Sequence, residues 1–568
     1  MEQRRLIPFA IFFVALFMLW SNWVKFNQPP ATIPASAAVP APSASAAPVP
    51  DDGSVPVPLP DTSLPVSSTD LPADSRPRSV HIIETDVIRA AVSAEGGNII
   101  KLELLKHHSS DNPENPFVIF DDGKAHIYEA QSGFSGDKLP NHRSLFEFVT
   151  PGESSVLQDG QEKIELRLKA SVAEGVTVTK ILTFTRGSYL IDVAHEIENK
   201  SGADVSAQAY FQFLRDGKPA EQVSSGFFSG AQTFTGPAFY TEASKFQKVT
   251  FEDITKGKAK IPDSADNGWV ALVQHYFVSA WLSPEKADRT FQASTTKNGN
   301  YVVRVLLNKV AVGQGNTERI GARLYAGPQD QNKLEEIAPG LKLVVDYGIL
   351  TVIAAPLFWL LSLLHSLTGN WGWAIILVTV IIKALFFPLS AASYKSMAKM
   401  RVLAPRLQRM KEQYGNDKVK MQQEMMKLYR EEKINPLGGC LPILVQIPVF
   451  LALYWVLLGS VEMRQAPWLG WIQDLSVRDP YFVLPIIMGV SMLVQTKLNP
   501  SPPDPMQAKI MMAMPIVFTF MFLWFPSGLV LYWVVNNLLS IAQQWQITRM
   551  IEQGKGKKLP KAANDSKA

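Results

Sequence analysis

Lys383 is the only charged residue in the long apolar run Trp371 to Leu389. At 1.5 Å per residue it stands ~18 Å from the start of that run, past the middle of a ~30 Å hydrocarbon layer. An ammonium at that depth costs several kcal/mol in lipid, so a water-filled cavity facing other helices is one expectation for it. The other is snorkelling, in which the flexible stem reaches headgroups ~12 Å away. The stem covers only about half that distance, and Thr379 shares the same helical face at i−4, which favours the cavity. In the run Leu437 to Val461, Gln446 lies ~13 Å from the basic flank, at a depth matching Lys383. In the last apolar run Tyr532, Asn536 and Asn537 stand near the middle, with Gln543 and Gln544 beyond them. Polar groups at overlapping depths on several helices point to a shared hydrated groove. The plainer alternative is that the amides act as packing glue between helices, worth about 1 kcal/mol each.

A second pattern lies between Ser393 and Lys433. Met400, Leu403, Leu407, Met410 and Tyr414 recur at three-four spacing, Gly415-Asn416-Asp417 marks a turn, and Met421, Met425 and Leu428 resume the spacing. This predicts a helical hairpin, with Pro405 kinking its first arm. Eleven Lys or Arg residues stand in the stretch against five acids. Lys395, Lys399, Arg401, Arg406 and Arg409 give the first arm a basic surface suited to anionic lipid or to the ribosome. Met400, Met410 and Met425 could instead offer a flexible surface that accepts many apolar sequences. Contact through the charges is the expectation preferred here.

Other chemistries find little support. Cys440 is the only cysteine, which excludes an intramolecular disulfide or a cysteine-based zinc cluster. The eight histidines show no metal-ligand spacing, and His107-His108 reads as an exposed loop. No P-loop, dinucleotide fingerprint, EF-hand loop or nucleophile elbow is present, so no local signature supports an enzyme, and neither a metal nor a cofactor is expected. A net charge of +4 over 568 residues gives no reason to expect sequence-specific nucleic-acid binding.

The elements that must position these residues follow from composition. Leu6 to Val24 is an apolar run behind Arg4 and Arg5, read as an uncleaved anchor (residues 1–26) with its amino terminus cytoplasmic. A removed signal peptide is the alternative, although the small-residue pattern Ala44-Ser45-Ala46 lies far beyond the run. Residues 27–77 are rich in Pro, Ala and Ser and read as a tether. From there to about residue 340, period-two alternation predominates, as in Ile164, Leu166 and Leu168, then Val176, Val178, Leu182 and Phe184, with Arg186-Gly187-Ser188 as a hairpin turn before Ile191, Val193 and Ile197. The expectation is a large β-sandwich. Residues 341–367 are read as an interfacial amphipathic helix, a full crossing being the alternative. Five spanning segments then fill 368–548, and a lysine-rich tail occupies 549–568. The basic stretches at 393–433 and after Arg549 fall on one side by the positive-inside rule, which puts both termini in the cytoplasm and the sandwich outside.

The segment Asn435-Pro436-Leu437-Gly438-Gly439-Cys440-Leu441-Pro442, continuing through Gln446-Ile447-Pro448-Val449-Phe450, closely resembles the third crossing of the YidC/Oxa/Alb family of membrane protein insertases. So do Gly459-Ser460-Val461-Glu462-Met463-Arg464-Gln465-Ala466-Pro467, Asp504-Pro505-Met506 and the stretch from Leu523 through Trp524-Phe525-Pro526-Ser527-Gly528 to Tyr532-Trp533. The resemblance covers the chain from about Asp346 onward, and the anchor and outer β domain resemble the arrangement of Gram-negative members. It implies a helical membrane bundle, an anchor plus a five-helix core, in the bacterial inner membrane, beneath a large periplasmic β-sandwich. The core would enclose a groove open to cytoplasm and lipid. The implied partners are nascent membrane proteins, the ribosome, the signal-recognition pathway and the Sec translocon. The family's groove usually carries arginine where this chain has Lys383, so the charge is kept but the planar fork of a guanidinium is not. Tyr532 matches an aromatic pair of the family whose second member is Trp533 here.

Taken together, the sequence predicts an insertase and chaperone, not an enzyme, with Lys383, Thr379, Gln446, Tyr532, Trp533, Asn536 and Asn537 lining the groove. The rival class is a solute transporter or channel using the same intramembrane polar residues, which predicts inverted repeats that the sequence does not display.

Overall fold

The computed structural model describes residues 79–556 apart from 110–111, 113, 124–125, 137–138, 174, 219–233, 284–285, 415–416, 432–440 and 499–504. The expected anchor, the tether, residues 557–568 of the expected tail, and the motif from Asn435 to Cys440 lie outside the described residues, while residues 549–556 of that tail continue the last helix. The chain divides into two compact units that meet in sequence at Val345 and Asp346.

The first unit is sheet-rich. Among the described residues it holds a ten-stranded sheet, a nine-stranded sheet and a two-stranded ribbon. The alternation seen in the sequence forms adjacent antiparallel strands: Lys163–Ala173 pairs with Val176–Thr185, which pairs with Leu190–Asn199. Leu166, Leu168, Val178, Leu182, Phe184, Ile191, Val193 and Ile197 are all buried, as period-two burial of one face requires. Gly187 turns the hairpin at φ +68°, a conformation that a residue with a Cβ rarely adopts. The two large sheets face each other through aromatic contacts. Phe211 of one meets Trp281 of the other at 5.1 Å, and the Trp281 indole donates to the Gln212 carbonyl at 3.0 Å. Two short helices, α1 (Phe251–Thr255) and α2 (Gln331–Ile337), complete the unit.

His107 and His108 end the strand Ile99–His108 instead of occupying a loop. His107 packs edge-on to Phe277 at 5.5 Å, so the pair is explained by strand packing. No group of His, Cys, Asp or Glu able to hold a metal occurs among the described residues.

The second unit is helical: α3 (Thr351–Thr368), α4 (Trp371–Leu385), α5 (Phe387–Tyr414), α6 (Lys418–Glu431), α7 (Leu441–Gly459), α8 (Val483–Leu498), α9 (Pro505–Phe522) and α10 (Ser527–Gly556). The helix expected from residue 341 begins at Thr351. Leu341 and Val344 belong to the apolar core of the sheet unit, and 3-10 turns at Leu341–Val344 and Gly348–Leu350 bridge the gap. Helix α3 is long and apolar enough to cross a bilayer by length and composition. Its two ends, however, meet one short loop. Tyr347, just before α3, has its hydroxyl 3.5 Å from that of Ser460, and Asn370, just after it, donates to the carbonyls of Pro467 and Trp468 at 3.0 and 3.2 Å.

Helices α4 and α5 are bent by 66° at a one-residue break. Phe386 leaves helical geometry at φ −88°, ψ 5°, and Pro388 follows. Pro388 offers no N–H for the Ala384 carbonyl one turn back, and its ring crowds that carbonyl, so the chain bends here. Helix α5 then continues without interruption past Pro405, where the sequence had suggested a kink.

Candidate functional site

Helix α4 starts on Asn370, whose side chain accepts from the Trp373 N–H while its amide holds the 467–468 loop. Gly372 lets the Trp468 indole lie against the helix, since a Cβ there would stand 2.1 Å from Trp468 Cδ1. The buried stripe of α4 runs through Ile375, Val378, Thr379, Ile382 and Lys383, whereas Leu377, Val380, Ile381 and Leu385 are exposed. The exposed side is the apolar one and the buried side carries the polar groups, the reverse of a helix that meets water.

Lys383 is 7% exposed, and its ammonium donates to the Ser540 hydroxyl on α10 at 2.7 Å. Ser540 in turn donates to the Asn536 carbonyl at 2.7 Å. The side-chain oxygen of Asn536 accepts from the Gln446 amide of α7. One turn further, Tyr532 is buried, lies next to Gln446 and stacks on Phe450 of α7 at 6.1 Å. Three layers thus repeat at four-residue steps along α10: Tyr532 with Phe450, Asn536 with Gln446, Ser540 with Lys383. Trp533 closes the aromatic end, edge-on to Phe450 at 4.6 Å and 5.4 Å from Phe522 of α9. The indole N–H of Trp533 and the Tyr532 hydroxyl are buried without a hydrogen bond of normal geometry among the described residues.

Lys383, Gln446, Asn536 and Tyr532 therefore come together with Trp533 beside them. Thr379 and Asn537 are turned elsewhere. The Thr379 hydroxyl donates to the Ile375 carbonyl of its own helix at 2.6 Å, and the Asn537 amide donates to Ser491 of α8 at 3.0 Å. Ser540 and Ser491 are the polar partners that the sequence reading passed over. Serine is common in membrane helices and gives little signal alone, but Ser540 continues the four-residue series from Tyr532 and Asn536. Tyr394 of α5 lies beside the same Ser540 hydroxyl.

In the hairpin formed by α5 and α6, Leu403, Leu428 and Tyr429 are buried, with Leu407, Met410 and Met425 packed against them. Met410 and Met425 thus face the opposite arm. Lys395, Arg406 and Arg409 are exposed. The side chains of Lys399, Met400 and Arg401 lie outside the described residues.

A helical unit with apolar outward faces and a polar, cation-bearing interior, joined to a sheet-rich domain, is the build of a membrane protein with a large domain outside the bilayer. Comparison with known proteins identifies the lineage. The model of the YidC periplasmic domain matches residues 81–360, and that of the 60Kd inner membrane protein matches residues 363–555. The membrane protein insertase YidC of Aromatoleum aromaticum is 60% identical over 98% of this chain and 99% of its own length. That of Dechloromonas aromatica is 53% identical over the whole of both chains. A solved structure of an active YidC insertase with its first transmembrane domain resolved aligns at 20% identity and a TM-score of 0.38, over 82% of this chain and 92% of that one. The chain belongs to the YidC family of membrane protein insertases.

Proposed function

We propose that the chain inserts nascent inner-membrane proteins, and helps them fold, through a hydrated groove lined by Lys383, Gln446, Tyr532, Asn536 and Ser540, with Trp533 at its closed end. Thr379 and Asn537 support the walls instead of the lumen. The observation that carries this reading is the direction of Lys383. The only charged group on α4 points at a neighbouring helix and at other polar groups, where water and a cation would shorten the path over which a polar flank of a client loses its hydration. An ammonium has three donors and Ser540 takes one, which leaves capacity for water or for a client carboxylate. The client's hydrophobic helix then partitions into lipid, each buried CH₂ contributing roughly 0.8 kcal/mol, and no nucleotide is required.

In the same reading residues 1–26 anchor the chain, 27–77 tether the periplasmic sandwich and 549–568 form a basic cytoplasmic tail. Both termini are cytoplasmic, and α4, α7, α8, α9 and α10 cross the inner membrane. Helix α3 lies along the outer interface, a placement favoured by both its ends meeting the loop around residues 460–468. The hairpin of α5 and α6 contacts anionic lipid and the ribosome through Lys395, Arg406, Arg409 and neighbouring bases. Met410 and Met425 pack into the seam between the two arms. Delivery by the signal-recognition pathway and work beside the Sec translocon fit this topology. Nothing in it calls for a cofactor, a metal or a catalytic residue.

The test is a charge series at Lys383. Insertion of clients with acidic outer flanks is expected to fall for Lys383→Glu and to persist for Lys383→Arg, measured as protease-protected product in proteoliposomes. Equal insertion by all three proteins would contradict the electrostatic part.

A further inference from the structure

We propose that Ser540 is the positioning residue of the groove lysine, setting the depth at which the Lys383 ammonium is presented and thereby the preference for acidic client flanks. The inference rests on the groove reading above. Its basis is the direction of two hydrogen bonds. The Ser540 hydroxyl proton is committed to the Asn536 carbonyl, one turn back on the same helix, so the oxygen has only lone pairs left to offer. Those lone pairs face Lys383 and accept from it at 2.7 Å. A charge-assisted bond in a low-dielectric interior holds a long, flexible side chain that would otherwise be free to extend toward headgroups. Asn536, which receives the Ser540 proton on its carbonyl, also receives the Gln446 amide on its side chain. Helix α10 thereby fixes the polar groups of α4 and α7 relative to one another. Tyr394 at the base of the hairpin lies beside the same hydroxyl, so Ser540 is a junction of three helices as well.

The experiment compares the full-length protein with Ser540→Ala, Ser540→Thr, Lys383→Met and the double variant Ser540→Ala with Lys383→Met, all in proteoliposomes. Two clients are used that differ only in having acidic or neutral outer flanks. Ser540→Ala is expected to lower insertion of the acidic client on the order of tenfold more than that of the neutral client, the usual weight of a hydrogen bond to a charged group. Ser540→Thr keeps the hydroxyl and should restore the preference. In the Lys383→Met background Ser540→Ala should add nothing, since the serine acts through the lysine. Should the alanine variant be poorly incorporated, Ser540→Cys, close in volume and a weak acceptor, is expected to show the same selective loss. Equal loss for both clients, full additivity with Lys383→Met, or indifference of the acidic client to Ser540→Ala overturns the role of Ser540. Lys383→Met without effect on either client overturns the groove reading itself, and the two failures are thereby distinct.

Discussion

Burying a lysine is tolerable where its nitrogen is met by an acceptor, and this chain does so in two settings. Lys383 has Ser540 in the helical unit. In the sheet unit Lys180 is 2% exposed, donates to the Gly96 carbonyl at 2.8 Å, and stands opposite His195 on the neighbouring strand. No carboxylate accompanies it among the described residues, and burial lowers its pKa to about 7. His195 is likewise pushed well below its ordinary range, by burial and by the Lys180 charge. Both groups fold most favourably when neutral. The lysine's contribution to stability is therefore present above its unfolded pKa, ~10.4, and declines as pH falls to about 7, with a slope of at most ~1.4 kcal/mol per pH unit, whereas that of His195 is lost only as pH falls below its unfolded value, ~6.5. Hydrogen exchange of the strand Val176–Thr185 in the intact protein in nanodiscs should show protection rising from pH 7 to pH 9 after correction for intrinsic rates. Lys180→Met should remove that component. An unchanged pH dependence in the methionine variant would show that Lys180 is not its source.

At the scale of elements, the bend at Phe386 redirects the chain within a turn of Lys383, so this lysine sits at the root of the hairpin. The hairpin arms are joined by a small apolar seam of Leu403, Leu428 and Tyr429 with Met410 and Met425. Leu403→Ala is expected to weaken the pairing by about 2 kcal/mol, at the low end for a buried leucine, because the seam is narrow and can collapse around the loss. Hydrogen exchange of α5 and α6 in the intact protein would register faster exchange there, with α4 and α10 unaffected. No change in α6 would mean that the arms do not depend on each other.

Much of this arrangement is legible in the sequence. Period two in the strands and three-four spacing in the hairpin follow from side-chain direction alone, and an ammonium or amide in an apolar run is conspicuous because its burial is costly. What escapes is what depends on context. Leu341 and Val344 look like the start of an apolar helix, yet they fill the core of the preceding domain. Pro405 and Pro388 are alike as letters, but only at the latter does the chain leave helical geometry, at Phe386, two residues before the ring. Thr379 shares a face with Lys383 but its hydroxyl bonds to its own backbone, which spacing does not reveal.

For the whole molecule, polarity is distributed in opposite senses in the two units. The sheet unit buries its alternating apolar faces. In the helical unit Leu385, Ile486, Val490, Ile516, Val517 and Leu538 are exposed while Lys383, Asn536, Asn537, Ser540 and Gln544 are buried. An apolar exterior suits hydrocarbon, and a polar interior gives an incoming chain somewhere to keep its own polar groups. Under the proposed mechanism this inversion is the physical content of insertion without fuel. It also makes the central claim accessible to a direct contact measurement. A photocrosslinking residue is placed in turn at Gln446 and Tyr532, facing the cluster, and at Leu377 and Val490, exposed on α4 and α8, and presented with ribosome-arrested nascent membrane proteins. The account predicts that the client crosslinks through its polar flank from positions 446 and 532 and that this flank does not crosslink from 377 or 490. Crosslinks confined to the outward positions, with none from 446 or 532, would contradict it.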